Sequence, residues 1–223
     1  MSENENLDYI EDNNNRKLYY RFTPAAIGSN FVPLIVILDD EENAEKRNFE
    51  YKMWNVLTPI DNVGHEGSAW LGEKGDFFVK DLLQKLISQI ADEHECEEHI
   101  YLYGSGMGGY GAILHGMLCK ANAIYAHLPQ IRLHDTELLD AKEKDLSNFL
   151  NTEDSFPIFY LCDDLASVKN LKNHNLKEDT AYFVEACKKH DIRVHLNFCA
   201  SPENDENRTI KNVLDTFERM ISQ

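Results

Sequence analysis

The chain has 223 residues, 43% hydrophobic and 27% charged, and its 22 lysines and arginines stand against 39 aspartates and glutamates for a net charge of −17. That composition excludes a wholly disordered, collagen-like or disulfide-framed chain. The acidic balance argues against nucleic acid and anionic membrane surfaces as partners, and the longest apolar run, Phe31–Leu38, is far too short for a membrane span.

Residues 1–16 are polar and acidic with no apolar core; they read as a flexible N-terminus rather than a secretory signal. Residues 17–223 read as a single domain. Lys17–Thr23, Phe31–Leu38 and Tyr51–Leu57 have the β-branched and aromatic content of strands. A Gly-rich loop spans Thr58–Asp76, and Phe77–Ala91 carries one apolar stripe at helical spacing. Ile100–Tyr103 is a short strand, Met107–Lys120 a buried glycine-rich helix, and Ala123–Ala126 another strand. The spacing then predicts a polar helix over Asp135–Leu150, a strand over Pro157–Cys162, a helix over Asn175–His190, a strand over Ile192–Phe198 and a closing helix over Asn207–Ile221. Such alternation predicts an α/β three-layer sandwich around a mostly parallel sheet. Five cysteines with no CxxC pair predict reduced thiols and a cytoplasmic location.

The stretch IYLYGSGMGGYGAILHG, residues 100–116, places a strand, a tight glycine turn and a helix in series. A serine-hydrolase nucleophile turn has this architecture and needs small residues two before and two after its apex. With residue 106 at the apex the flanks are Gly104 and Gly108, which fit; with Ser105 at the apex they would be Tyr103 and Met107, which do not. The apex is therefore Gly106, which has no nucleophilic atom.

On MGGYGA at 107–112 the chain resembles the α/β-hydrolase superfamily, in its esterase D-like branch with a GxSMGGYGA-type turn. Residues 55–78 together with Pro129–Leu133 also look like the hydrolase-like domains of bacterial surface-polysaccharide and accessory glycoprotein-secretion loci. The resemblance implies a triad in the order serine, acid, histidine. Gly106 occupies the serine position, Asp163 or Asp164 matches the acid, and the last loop, residues 199–205, holds no histidine. It thus implies a degenerate triad: a non-catalytic pseudo-hydrolase, or alternatively an esterase or acyltransferase acting on acylated glycans or small esters whose nucleophile was lost at 106. It implies no cofactor. Its partner would be a small-molecule, glycan or acyl ligand, or a protein.

The open helix start at residues 106–109 favours an anion or a carbonyl oxygen, which makes Ser105 and Met107 binding candidates. His65 and Trp70 of the Gly-rich loop are further candidates for the crevice, as are His127 and His134 beyond a strand end. Ser105 also reads as a turn residue and Trp70 as a core anchor. Arg132 suits either a substrate carboxylate or a salt bridge. His94, Cys96 and His99 lie in HECEEH, which lacks the second histidine of H-E-x-x-H, so no metal site is assigned.

Overall fold

Buried alternation along one strand sets the layers. Leu34, Val36 and Leu38 belong to one apolar cluster and Ile35 and Ile37 to a second, so this strand is covered on both faces. The computed structural model describes residues 7–38, 51–63, 68–73, 75–133, 141–164, 178–199 and 206–222. Its strands are β1 (Asp8–Glu11), β2 (Lys17–Thr23), β3 (Leu34–Leu38), β4 (Asn55–Ile60), β5 (Ile100–Ser105), β6 (Ala123–His127), β7 (Ile158–Asp164) and β8 (Val194–Cys199). The helices are α1 (Phe78–Glu93), α2 (Met107–Leu118), α3 (Glu178–Lys189) and α4 (Glu206–Ile221).

The sheet order is β1-β2-β4-β3-β5-β6-β7-β8, with β2 antiparallel to both neighbours and the rest parallel. Residues of α1, α2 and α3 pack with Leu34, Leu102, Ile124 and Phe159 on one face. Ile210, Val213, Leu214 and Phe217 of α4 pack with Ile35, Trp54, Tyr101 and Tyr103 on the other. This is an α/β-hydrolase sandwich. Parallel strands β3, β5, β6 and β7 deliver their carboxyl ends to one rim, where an α/β sheet places its sites.

Several local expectations change. β1 lies within the stretch read as flexible: Ile10 is buried, Tyr9 meets Tyr19 edge-on, and Lys17 sits over the Tyr9 ring. β3 starts only at Leu34, after Pro33 and the left-handed Phe31 (φ 60°). β4 is displaced toward Ile60 and includes Pro59, which faces Tyr20. Residues 141–150 form two short 3₁₀ turns, Lys142–Lys144 and Leu146–Phe149, instead of the helix expected over 135–150. Asp145 separates them in extended conformation, its carboxylate accepting from the Ser147 N–H and the Tyr182 hydroxyl. Side-chain competition of this kind favours turns over helix. Residues 135–140 of that expected helix lie outside the described residues. Cys96, Cys119 and Cys187 are free thiols, whereas Cys162 is disulfide-bonded, so the expectation of reduced thiols fails there.

Candidate functional site

β5 ends at Ser105 and α2 begins at Met107, so Gly106 alone turns strand into helix. It does so at φ 55° and ψ −114°, a conformation that strains any residue with a Cβ. The turn closes because Gly104 has no side chain: a Cβ there would overlap the Gly108 carbonyl and lie 2.8 Å from the Gly109 nitrogen. Among the described residues, a Cβ on Gly106 would meet nothing within 4 Å. The apex therefore has no close neighbour among the described residues, while its flank is backbone against backbone.

The Gly106 carbonyl accepts from the Tyr110 N–H and from the Gln130 N–H, both at 3.2 Å, and the Gly106 N–H donates to the His127 carbonyl at 2.9 Å. Among the described residues no side chain caps α2. The N–H groups of its first turn thus point at the rim without an intrahelical acceptor. Met107, 38% exposed, lies beside them. Pro129 wedges against α2, where a Cβ on Gly109 would stand 3.1 Å from its Cα. Arg132 holds the same segment from the other side: its guanidinium pairs with Asp179 at 2.6 Å and lies over the Tyr182 ring. Burial pushes the Asp179 carboxyl up, but the Ile131 and Arg132 N–H groups and the guanidinium outweigh it and hold it below its ordinary value. Of the two readings of Arg132, the salt bridge is the one present.

The remaining candidates separate. Ser105 Oγ lies 3.3 Å from His127 Nδ1, a long contact between residues paired across β5 and β6. His127 is 8% exposed. Asp163 is fully buried near the end of β7, two strands or roughly 10 Å from β5. The Asp164 side chain, His65 and His134 lie outside the described residues. Trp70 is 2% exposed and packs on α2, where a Cβ on Gly111 would stand 2.7 Å from its Cγ. His94 stacks on Phe22, and Cys96 is buried.

Two residues of the site's support had no obvious sequence signal. Asp61 follows β4, and its carboxylate accepts from the Ser68 and Trp70 N–H groups at 2.7 and 2.9 Å and from the Ser68 hydroxyl. It thereby fixes a turn in which Ala69 and Trp70 are both left-handed. Burial pushes its carboxyl above the ordinary value against those hydrogen bonds. His115 of α2 is fully buried, with Nε2 3.1 Å from the Trp70 carbonyl and Nδ1 2.8 Å from Gln84 Nε2. Burial, the dominant cause, takes its pKa down to about 4. The ring is therefore neutral, donating from Nε2 and accepting at Nδ1, and it ties the Trp70 turn to α1 and α2.

No family model and no curated protein matches the chain. Solved structures do match. Thermogutta terrifontis esterase 2 phosphoramylated by tabun superposes with a TM-score of 0.71 at 15% identity, over 99% of this chain and 96% of that one. An S-formylglutathione hydrolase from Agrobacterium tumefaciens gives 0.70 at 12%, over 95% and 93%. Porphyromonas gingivalis dipeptidyl peptidase 4 gives 0.68 at 13%, over 96% of this chain and 35% of that one. At these identities the likeness establishes the fold alone: this chain has an α/β-hydrolase fold.

Proposed function

We propose that this chain is a binding protein on an esterase-type fold, taking an acyl- or glycan-type small molecule at the rim above α2 without covalent chemistry. The observation that carries this reading is Gly106: it stands at the strained apex of the strand-to-helix turn with no described atom within 4 Å of where its Cβ would be, and with no side-chain oxygen to offer. The first-turn N–H groups of α2 favour a carboxylate or carbonyl oxygen. Asp163 would be the surviving acid of a triad whose nucleophile is gone and whose final loop, residues 199–205, contains no histidine. The resemblance of residues 55–78 and 129–133 to surface-polysaccharide proteins supports a glycan among the ligands.

Propionate, present in one structure of the Thermogutta esterase, is a suitable probe. Titrated into isotope-labelled protein, it is expected to shift the amide resonances of Met107, Gly108 and Gly109. Saturating propionate with no shift at these amides would refute the binding reading.

A second reading has its own observation. The Ser105–His127 contact at 3.3 Å brings a hydroxyl and an imidazole together. In an esterase built on them, Ser105 Oγ would attack the ester carbonyl as its proton passes to His127 Nδ1, and the alkoxide would leave with that proton. Paraoxon phosphorylates the Thermogutta esterase, so paraoxon and p-nitrophenyl acetate separate the two readings. The binding reading expects no mass adduct and no hydrolysis above a heat-denatured control. An adduct abolished by Ser105→Ala would establish the second.

A further inference from the structure

The sheet has two edges, and they are built differently. β1 has four residues, of which Asp8 and Glu11 are acidic, and Asp12 follows. A second strand from an equally acidic chain would meet like charges there, a common protection of sheet edges. β8 has six residues, Val-His-Leu-Asn-Phe-Cys, with no carboxylate, lysine, arginine or proline. Among the described residues its only strand partner is β7.

The free side of β8 can be assigned residue by residue. The Phe159 N–H donates to the Arg193 carbonyl at 3.2 Å, so the backbone groups of Arg193 point toward β7. Successive residues of a strand point their N–H and C=O groups to opposite sides. His195 and Asn197 therefore also face β7, and Val194, Leu196 and Phe198 direct theirs outward. Val194 and Leu196 pack against the α1–α3 side of the core, and Phe198 is 44% exposed. On the other face His195 stacks on Tyr160.

We infer that β8 is a homodimer interface, two copies pairing antiparallel about a two-fold axis at Leu196. In that register Leu196 faces Leu196 of the second copy, and Val194 faces Phe198 twice over. These are three outward-facing pairs, each exchanging two hydrogen bonds, six in all. Their side chains meet as Leu–Leu and Val–Phe on one face of the joined sheet, while His195 meets Asn197 on the other. Every central pair is apolar–apolar or uncharged polar, so the edge is self-complementary where the rest of a chain of net charge −17 is self-repelling. The joined sheet would have sixteen strands, eight from each copy.

Sedimentation equilibrium and light scattering across micromolar to submillimolar protein test this. The wild type is expected at twice 25.7 kDa. Phe198→Lys, which sets a lysine against Val194 of the partner, should weaken association at least tenfold with an unchanged circular dichroism spectrum. Leu196→Pro removes only an outward N–H and should do the same. Should the proline variant fail to fold, Phe198→Lys decides alone, because Phe198 contributes little to the monomer core. In the dimer the Leu196 and Phe198 amides exchange slowly, and this protection is lost on dilution. A wild type that is monomeric throughout, or a dimer indifferent to Phe198→Lys, would overturn the inference.

Discussion

Gly104 and Gly106 are two residues apart in one turn, yet the same substitution should have opposite weight at each. At Gly104 an added methyl overlaps the Gly108 carbonyl and approaches the Gly109 nitrogen, all of it backbone. No rotamer relieves such a clash, so strand and helix must separate. Overpacking of this kind costs about 1–3 kcal/mol where side chains can yield, and more here. At Gly106 the methyl meets no described atom within 4 Å, and the cost is that of the backbone conformation, about 1–3 kcal/mol. Part of that is offset by about 0.4–1 kcal/mol, because alanine narrows the unfolded ensemble. The net expectation is about 1–2 kcal/mol for Gly106→Ala and at least about 3 kcal/mol for Gly104→Ala. For a chain of this size a loss of about 1 kcal/mol lowers Tm by about 2–4 °C. Gly106→Ala should therefore melt a few degrees below wild type, and Gly104→Ala about 6 °C or more below it. Urea unfolding followed by circular dichroism gives the same comparison at constant temperature. If Gly104→Ala lay within about 1 kcal/mol of wild type, or if Gly106→Ala were the worse of the two, the apex would not be at residue 106.

Gly106→Ser restores the missing oxygen but no base, so hydrolysis of p-nitrophenyl acetate should stay within about 10³–10⁴-fold of water; ordinary esterase turnover by this variant would mean that a base such as His127 already serves the apex. His115 predicts a pH dependence of stability. Its folded pKa lies at about 4, below the unfolded value near 6.5, so its contribution is fully present above pH 6.5 and is lost as pH falls toward 4. The difference amounts to about 3 kcal/mol at 1.36 kcal/mol per pH unit. Wild type should show this loss in urea titrations between those pH values and His115→Gln should not. Asp179→Asn removes a carboxylate that accepts from two backbone N–H groups and an arginine. The expected cost is about 1.5–3 kcal/mol, with faster hydrogen exchange at the Gln130 amide that binds the Gly106 carbonyl. Because the Asp179 carboxyl sits below its ordinary value, its contribution is present at neutral pH and fades as pH falls through that lowered value.

Much of the architecture was legible because it rests on local periodicity. The unbroken run at residues 34–38 demands a strand buried on both faces, and the 3.6-residue stripe of α1 demands a helix with one covered side. Where a side chain could bind its own or a neighbouring backbone, local patterning misled. Asp145 ends one turn and starts another, and its bond to Tyr182 of α3 is invisible to any window of adjacent residues. β1 was hidden for a related reason: four mostly polar residues form a strand only because β2 is there to receive them and Ile10 to bury.

The same division runs through the site. Sequence alone located the turn and its apex, because only small residues at 104 and 108 allow a strand to reverse so closely into a helix, and it showed that the apex has no nucleophile. Tertiary structure alone decided what surrounds that apex. Ser105 and His127 are twenty-two positions apart and meet only because β5 and β6 are neighbours in register. Trp70, a candidate for the crevice by its place in a Gly-rich loop, is drawn into the core instead. Asp61 fixes its turn, His115 holds its carbonyl, and Gly111 leaves room for its ring. Two of those three contacts, from His115 and Gly111, join residues more than forty positions apart in the chain. Their energies depend on burial and on the distance between elements, quantities that a one-dimensional pattern does not contain.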